Sequence, residues 1–268
     1  MKIDEQQLDK AIYMACNEAI LRSTVGIATN QNRGIGTGSL VSYLGKRFIL
    51  TAEHVMAGVD PLQCRFFIPP PAPLREHSML DGIPGEFGPP TPGDVLQVGS
   101  PLLDHINDVA AFPLASTFLI PSYMNFFRIE QGVEAINDGA SIIVLGFPVD
   151  NSATFGAVVP GHLFKALGLT SSQATYSDSD QDRYVLHSSF DRDQHFIVEY
   201  SGLDERIGPH GFSGAGAWCV RVSESPVWRT EPLLAGVITG RYKSTAAHPH
   251  LLQATRFAVV RHLFESDS

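Results

Sequence analysis

Cysteine is scarce in this chain. Three residues, Cys16, Cys64 and Cys219, make an odd number in 268 with no framework spacing, which rules out a fully paired disulfide scaffold. Long apolar runs are also missing. The stretch from Ser141 to Phe147 is among the longest, far short of a membrane-spanning helix, and reads as a buried strand. Positive charge is in short supply: 19 Lys and Arg stand against 28 Asp and Glu, a net charge of −9. That balance argues against a nucleic-acid partner or an anionic membrane surface. The first residues, Met1-Lys2-Ile3-Asp4-Glu5-Gln6-Gln7, lack the apolar core of a signal peptide. Together these absences lead us to expect a cytoplasmic protein in a reducing compartment.

What the chain does have is β texture. Hydrophobic residues make up 44%, and 24 glycines with 18 prolines divide them into short runs, as in a loop-rich, β-dominated globular protein. An N-terminal helix is the exception. Asp4 can cap it with Gln7 as capping-box partner, and Leu8, Ile12, Ala15 and Ala19 share a face. That face is expected to pack on the first β-domain. Strand-like runs follow at Val25–Ala28, Gly38–Val41, Phe48–Leu50, Phe66–Ile68, Val95–Val98, Val109–Leu114, Ile142–Gly146 and Ala157–Val159. Further candidates are Tyr184–His187, Phe196–Tyr200, Ala215–Val220 and Leu233–Ile238. Residues 69 to 94 are too rich in proline and glycine for a full strand ladder and read as an excursion between strands. Ser171 to Asp182 is polar and reads as an exposed loop. Phe257, Val260 and Phe264 recur at helical spacing near the C-terminus.

Three segments carry chemistry. Thr51-Ala52-Glu53-His54-Val55 supplies a histidine after small residues, and Asp108 opens the apolar run Val109-Ala110-Ala111-Phe112. Gly211-Phe212-Ser213-Gly214-Ala215 is a small-residue turn carrying a serine. Each alone reads as a turn. Jointly they set an order along the chain of histidine, aspartate, serine. The α/β-hydrolase elbow needs glycine where Ala215 stands, and an acid then a histidine after the serine; here Asp267 follows the last histidine, His262. The subtilisin order needs an acid before the histidine, and Asp4 and Asp9 lie in the helical N-terminus. A serine hydroxyl is a poor nucleophile until a base takes its proton during attack. Ser213 is therefore the candidate nucleophile, His54 the general base and then acid, and Asp108 the group that orients the imidazole. Asp104 competes for the acid role but is followed by His105 and opens no apolar strand. His210 reads as a surface residue. His248-Pro249-His250 has no cysteine or carboxylate close by, so no metal site is expected there. Cys219, after Trp218 in a strand run, reads as a small buried apolar residue.

These segments resemble the trypsin/chymotrypsin-like serine peptidases, in the disulfide-free, bacterial or intracellular style. Gly36-Thr37-Gly38-Ser39-Leu40-Val41 with Phe48 to Val55 resembles the paired strands ending in the histidine. Asn107 to Phe112 is similar to the aspartate strand, Gly146-Phe147-Pro148 to a turn early in the second barrel, and Leu234 to Thr239 to the strand after the nucleophile. The matches run in patches from Gly34 to Thr239. The resemblance implies an all-β fold of two six-stranded antiparallel β-barrels with an N-terminal and a C-terminal helix. It divides the chain into a helix at 1–24, a first barrel at 25–130 with His54 and Asp108, a second at 131–253 with Ser213, and a helix at 254–268. It also implies an oxyanion hole from the backbone N–H groups of Gly211 and Ser213, and a substrate pocket drawing on Ile207, Thr239 and Gly240. An apolar floor at Ile207 suits a small or apolar residue before the cleaved bond; a slip to Asp204 or Glu205 reverses that preference. No cofactor and no metal are implied. The expected activity is serine endopeptidase action on a protein or peptide substrate, in a regulatory or defence-associated setting, with scope for a regulatory partner protein. A catalytically silent barrel acting as a binding module, and an ester hydrolase, are the alternatives.

Departures from the family pattern matter as much. Secreted members usually have cysteine after the histidine, where this chain has Val55. Many have aspartate before the serine, paired with a freshly cleaved N-terminus; here Phe212 occupies that place and Ser23-Thr24-Val25-Gly26-Ile27 only loosely imitates such a terminus. Activation through that ion pair is not expected. Gly214-Ala215-Gly216 stands where Gly-Gly-Pro is common, which alters the substrate wall.

Overall fold

The computed structural model describes residues 5–29, 35–58, 64–68, 91–92, 100–115, 121–147, 153–159, 162–166, 170–183, 190–200, 209–222, 230–246 and 248–266. Helix α1 (Glu5–Leu21) leads into strands β1 (Thr24–Thr29), β2 (Ile35–Tyr43) and β3 (Lys46–Ala52), then the single-turn helix α2 (Glu53–Met56). Next come β4 (Cys64–Phe67), β5 (Thr91–Pro92), β6 (Leu102–Asp104), β7 (Val109–Pro113) and the short β8 (Phe127–Arg128). The second half holds β9 (Ser141–Gly146), β10 (Ala153–Val159), β11 (His162–Ala166), β12 (Thr170–Thr175), α3 (Asp180–Arg183) and β13 (His195–Glu199). It ends with β14 (Gly216–Val222), β15 (Thr230–Tyr242), β16 (Leu251–Arg256) and α4 (Phe257–Glu265).

Two sheets dominate. The first runs β5-β4-β1-β2-β3-β7-β6 and the second β12-β9-β14-β15-β16-β13, while β10 and β11 pair apart. Every pairing along both orders is antiparallel, as the all-β double-barrel expectation requires. The difference is β8, which lies parallel to β2 through Val41 and Ser42 and brings the first sheet to eight strands.

Strand alternation sorts side chains into three main cores, with a small fourth around Ile197 and Leu251. In β3, Phe48 and Leu50 point into the seam between the sheets, and Ile49 into the first sheet's own core. In β7, Val109 and Ala111 face the seam, with Ala110 and Phe112 on the other side. In β9, Ile143 and Leu145 face the seam and Ile142 and Val144 the second sheet's core. Both faces are therefore buried, which is why these strands read as unbroken apolar runs. In β15 the parity switches: Leu234 and Val237 both reach the seam, because the pairing with β14 slips at Ala217 and Trp218.

Both end helices close the seam. In α4, Phe257, Val260 and Phe264 are buried, and Phe264 meets Phe48 edge-on with ring centroids 5.2 Å apart. Helix α1 corrects an expectation. It packs mainly on β9 and β15 of the second sheet rather than on the first domain. Its buried face also differs from the expected stripe: Cys16, Asn17, Ile20 and Leu21 are inside, while Ala15 is exposed. Cys16, Ile20 and Leu21 join the core that residues of both sheets share at the seam. The cap at Asp4 lies outside the described residues, and nothing is described of the side chains of Leu8 and Ile12.

Other expectations divide in the same way. The segment Ser171 to Asp182 is strand β12 followed by α3, not an exposed loop, because Ser171–Thr175 pair with Ser141–Leu145. Polar residues suit an edge strand, whose outer face meets water. Of residues 69 to 94 only Thr91 and Pro92 are described, paired with Arg65 and Phe66; the strand runs at 95–98 and 184–187 lie outside the described residues.

Cys16 and Cys219 are buried and in no disulfide among the described residues, and burial pushes the Cys16 thiol up to about 11. Neither is exposed for disulfide exchange. Thermal melting with and without a thiol reductant should therefore give the same midpoint, and a fall of several degrees on reduction would contradict this.

Candidate active site

Strands β3 and β7 lie side by side with Ala52 opposite Val109. His54, in the helical turn that follows β3, and Asp108, immediately before β7, are thus delivered to the same place. Helix α2 buries Val55 and Met56 and leaves His54 outward, its side chain 49% exposed. Asp108 Oδ1 accepts from the His54 backbone N–H at 2.8 Å, and Oδ2 lies 2.5 Å from His54 Nδ1. An ionised carboxylate can only accept, so Nδ1 carries the proton and Nε2 is left as the basic nitrogen. The hydrogen bond to Asp108 raises the His54 pKa above its ordinary value near 6.5; partial burial opposes this, and the charges of Asp108 and Glu53 add to it.

Asp108 itself sits at φ 55°, a left-handed conformation uncommon for a residue with a side chain. The turn before it is held by Asp104. One oxygen of that carboxylate accepts from the N–H groups of Ile106 and Asn107, both at 3.1 Å, and the other from the Asn107 side-chain amide at 2.7 Å. The competing acid is thus occupied as a turn cap.

Ser213, half-buried, enters from the second sheet. Gly214 and Ala215 bond β15 through Gly214 N–H to Ile238 O at 2.7 Å and Ile238 N–H to Ala215 O at 2.8 Å. Thr37 of the first sheet fixes the same turn twice: its N–H donates to Ser213 O at 2.8 Å and its hydroxyl to Gly211 O at 2.9 Å. The Thr37 hydroxyl also accepts from Phe147 N–H at 3.1 Å. Thr51 then donates to Thr37 O at 2.7 Å, which ties the turn to the strand that ends at the histidine. Gly36 completes the approach, since a Cβ there would lie 2.5 Å from Val55 Cγ1 and 3.2 Å from Ser213 O. The serine turn is therefore packed against the strand and helical turn that carry His54. Among the described residues no hydrogen bond joins the serine hydroxyl to the imidazole; such bonds commonly tighten only with substrate present.

The N–H groups around the serine divide cleanly. Those of Phe212, Gly214 and Ala215 have backbone acceptors in Pro209, Ile238 and Phe212. Those of Gly211 and Ser213 have none among the described residues. Gly211 at φ 105° makes the turn possible. These two donors are the pair named for an oxyanion hole.

Phe212 is fully buried, its ring against Gly146 and at 5.5 Å and 74° to the Tyr200 ring. Apolar burial anchors the turn, a contribution of about 2–3 kcal/mol for a side chain of this size. Residues 24–29, which include most of the imitation terminus, form β1 within the first sheet. Thr239 and Gly240 lie on β15 directly after Ile238, beside the nucleophile turn; Ile207, Asp204 and Glu205 lie outside the described residues. His210 is exposed, His248 Nδ1 lies 2.7 Å from Pro249 O, and His250 accepts from Ser244 N–H.

No protein-family model matches the sequence, and no curated protein matches it. By fold, the chain is similar to the scabies mite inactivated protease paralogue S-I1, with a TM-score of 0.58 and 18% identity over 92% of this chain and 96% of that one. It is similar to the scabies mite inactivated protease paralogue S-D1 as well, with a TM-score of 0.58 and 12% identity over 93% of each chain. The fold is trypsin-like. A trypsin-like fold explains why His54 and Asp108 come from one sheet and Ser213 from the other. It does not single out the threonines. Thr37, Thr51 and Thr255 bridge the parts of the site, and their only trace in the sequence is a hydroxyl at a buried strand position.

Proposed function

We propose that the chain is a serine endopeptidase working through an acyl-enzyme. The observation that carries this is Asp108 bound to both the backbone N–H and Nδ1 of His54, on the sheet that packs against a glycine-framed Ser213, where the N–H groups of Gly211 and Ser213 have no acceptor among the described residues. In this reading Ser213 Oγ attacks the substrate carbonyl while His54 Nε2 takes its proton, and the N–H groups of Gly211 and Ser213 receive the oxyanion. His54 then passes the proton to the departing amine, and water, deprotonated by the same nitrogen, releases the acid. Thr239 and Gly240 border the substrate channel, and the substrate is a protein or peptide. A cytoplasmic location and control by a partner protein belong to the same proposal, since Phe212 leaves no charge for activation by a new N-terminus.

A silent binding module is the second reading, favoured by the inactivated state of the two neighbours named above. Labelling with a fluorophosphonate separates the two. Modification mapped to the peptide carrying Ser213 supports the enzyme; no labelling under conditions that label trypsin supports the module.

The pH profile follows from His54. The base must be neutral, and its pKa lies above 6.5. Labelling rate should therefore fall on the acid side with a midpoint above 6.5, and a midpoint at or below that value would contradict the dyad. For stability the sign is opposite: the fold favours the protonated ring. That contribution is present below the unfolded pKa and is lost as pH rises through the folded one.

A further inference from the structure

One hydrogen bond crosses from the second sheet to the turn that carries Asp108. Thr255 of β16 is fully buried, and its hydroxyl donates to Asn107 O at 2.8 Å across 148 residues of chain. That carbonyl belongs to the peptide plane joining Asn107 to Asp108, and the orientation of this plane defines φ of Asp108. The Asp108 carbonyl accepts from Glu53 N–H at 3.0 Å, and that bond fixes the following plane and so ψ. Each dihedral of the left-handed residue is therefore held by a different sheet: φ from the second, ψ from the first.

The hydroxyl has its own support. Thr239 Oγ1 lies 3.2 Å from Thr255 Oγ1. The Thr255 proton is already committed to the carbonyl, so Thr239 must be the donor. The chain runs in one direction, from Thr239 to Thr255 to Asn107, and successive hydrogen bonds of this kind strengthen one another. Left-handed φ is disfavoured for any residue with a Cβ, so without the donor the 107–108 peptide is free to turn. Such a turn swings the carboxylate away from both His54 groups it now holds.

We propose that Thr255 is a positioning residue, which sets the dihedral of Asp108 from the opposite sheet and makes alignment of the His54–Asp108 pair depend on docking of the two halves. The inference rests on the proposed serine-hydrolase reading for its effect on rate, but not for its effect on the imidazole. Thr255→Val keeps the branched shape and removes the donor; Thr255→Ser keeps the donor. In the valine variant the Nδ1 proton of His54, followed by NMR, should move upfield, and the His54 pKa should fall toward its ordinary value. If the chain is a hydrolase, kcat should drop about tenfold with KM unchanged, the size expected for loss of one buried hydrogen bond. The serine variant should restore all three. An unchanged His54 proton and pKa in a folded Thr255→Val protein overturns the proposal whether or not the chain hydrolyses anything. Should that variant not fold, Thr239→Val removes only the donor that feeds Thr255. A smaller shift of the same sign is then expected, and no shift overturns the proposal.

Discussion

Ser213→Ala is expected to abolish phosphonate labelling and to lower hydrolysis by about 10⁴-fold or more, to the level left by substrate binding and oxyanion donors alone. The loss should fall on kcat. The Gly211 and Ser213 N–H groups and the Thr37 contacts are made by backbone that the substitution leaves in place. Stability should change little, because Ser213 is only half-buried and its hydroxyl makes no hydrogen bond to the imidazole among the described residues. Labelling that persists undiminished in a folded Ser213→Ala protein would remove the serine from the reaction. His54→Ala and Asp108→Asn then test the rest of the triad in the same assay, with losses that should not add, since the three act as a unit.

Gly214→Ala should be the most damaging glycine substitution for stability. A Cβ there would lie 2.0 Å from both Thr37 O and Thr51 Oγ1, and 2.9 Å from Ala52 N. These atoms cannot yield independently, because the first two are already bonded to each other at 2.7 Å. Gly214 also sits at φ 86°. Left-handed strain, overpacking and the disrupted Thr51 hydrogen bond together make a loss of about 3–5 kcal/mol. Gly45 provides the control. It has φ 80° with nothing within 4 Å of an added Cβ, so Gly45→Ala should cost only the backbone component, about 1–2 kcal/mol. Urea denaturation of the two variants measures the difference. Equal losses would mean that close packing of the serine turn on the histidine strand contributes nothing.

Both predictions concern one junction. Gly214 approaches Thr51 and Ala52, and two residues later comes His54. The serine turn and the histidine strand are thus a single packed unit, although 159 positions separate Ser213 from His54 along the chain. Phe212 belongs to the same unit. A buried ring before the serine lets the turn be ordered by apolar contact with Gly146 and Tyr200, with no need of a buried ion pair.

The sequence by itself determined the local and the chemical parts of this protein. Runs such as Ser141–Gly146 and Val109–Phe112 announce strands buried on both faces, because their apolar content has no alternation to lose. Phe257, Val260 and Phe264 announce a helix because one face must be apolar. The order His54, Asp108, Ser213 narrows the architecture because each hydrolase scaffold delivers its three groups from fixed places along the chain. Only the tertiary structure decided the rest. It placed α1 on the second sheet, turned Ser171–Thr175 from an expected loop into an edge strand, and assigned Asp104 to a cap. It also recruited Thr37, Thr51 and Thr255 to hold the site, through bonds such as Thr37 to Gly211 across 174 residues. The reason is physical. Periodicity records which face of an element is buried, but a single hydroxyl reaching a carbonyl in a distant segment leaves no periodic mark, and its partner exists only once the two sheets have docked.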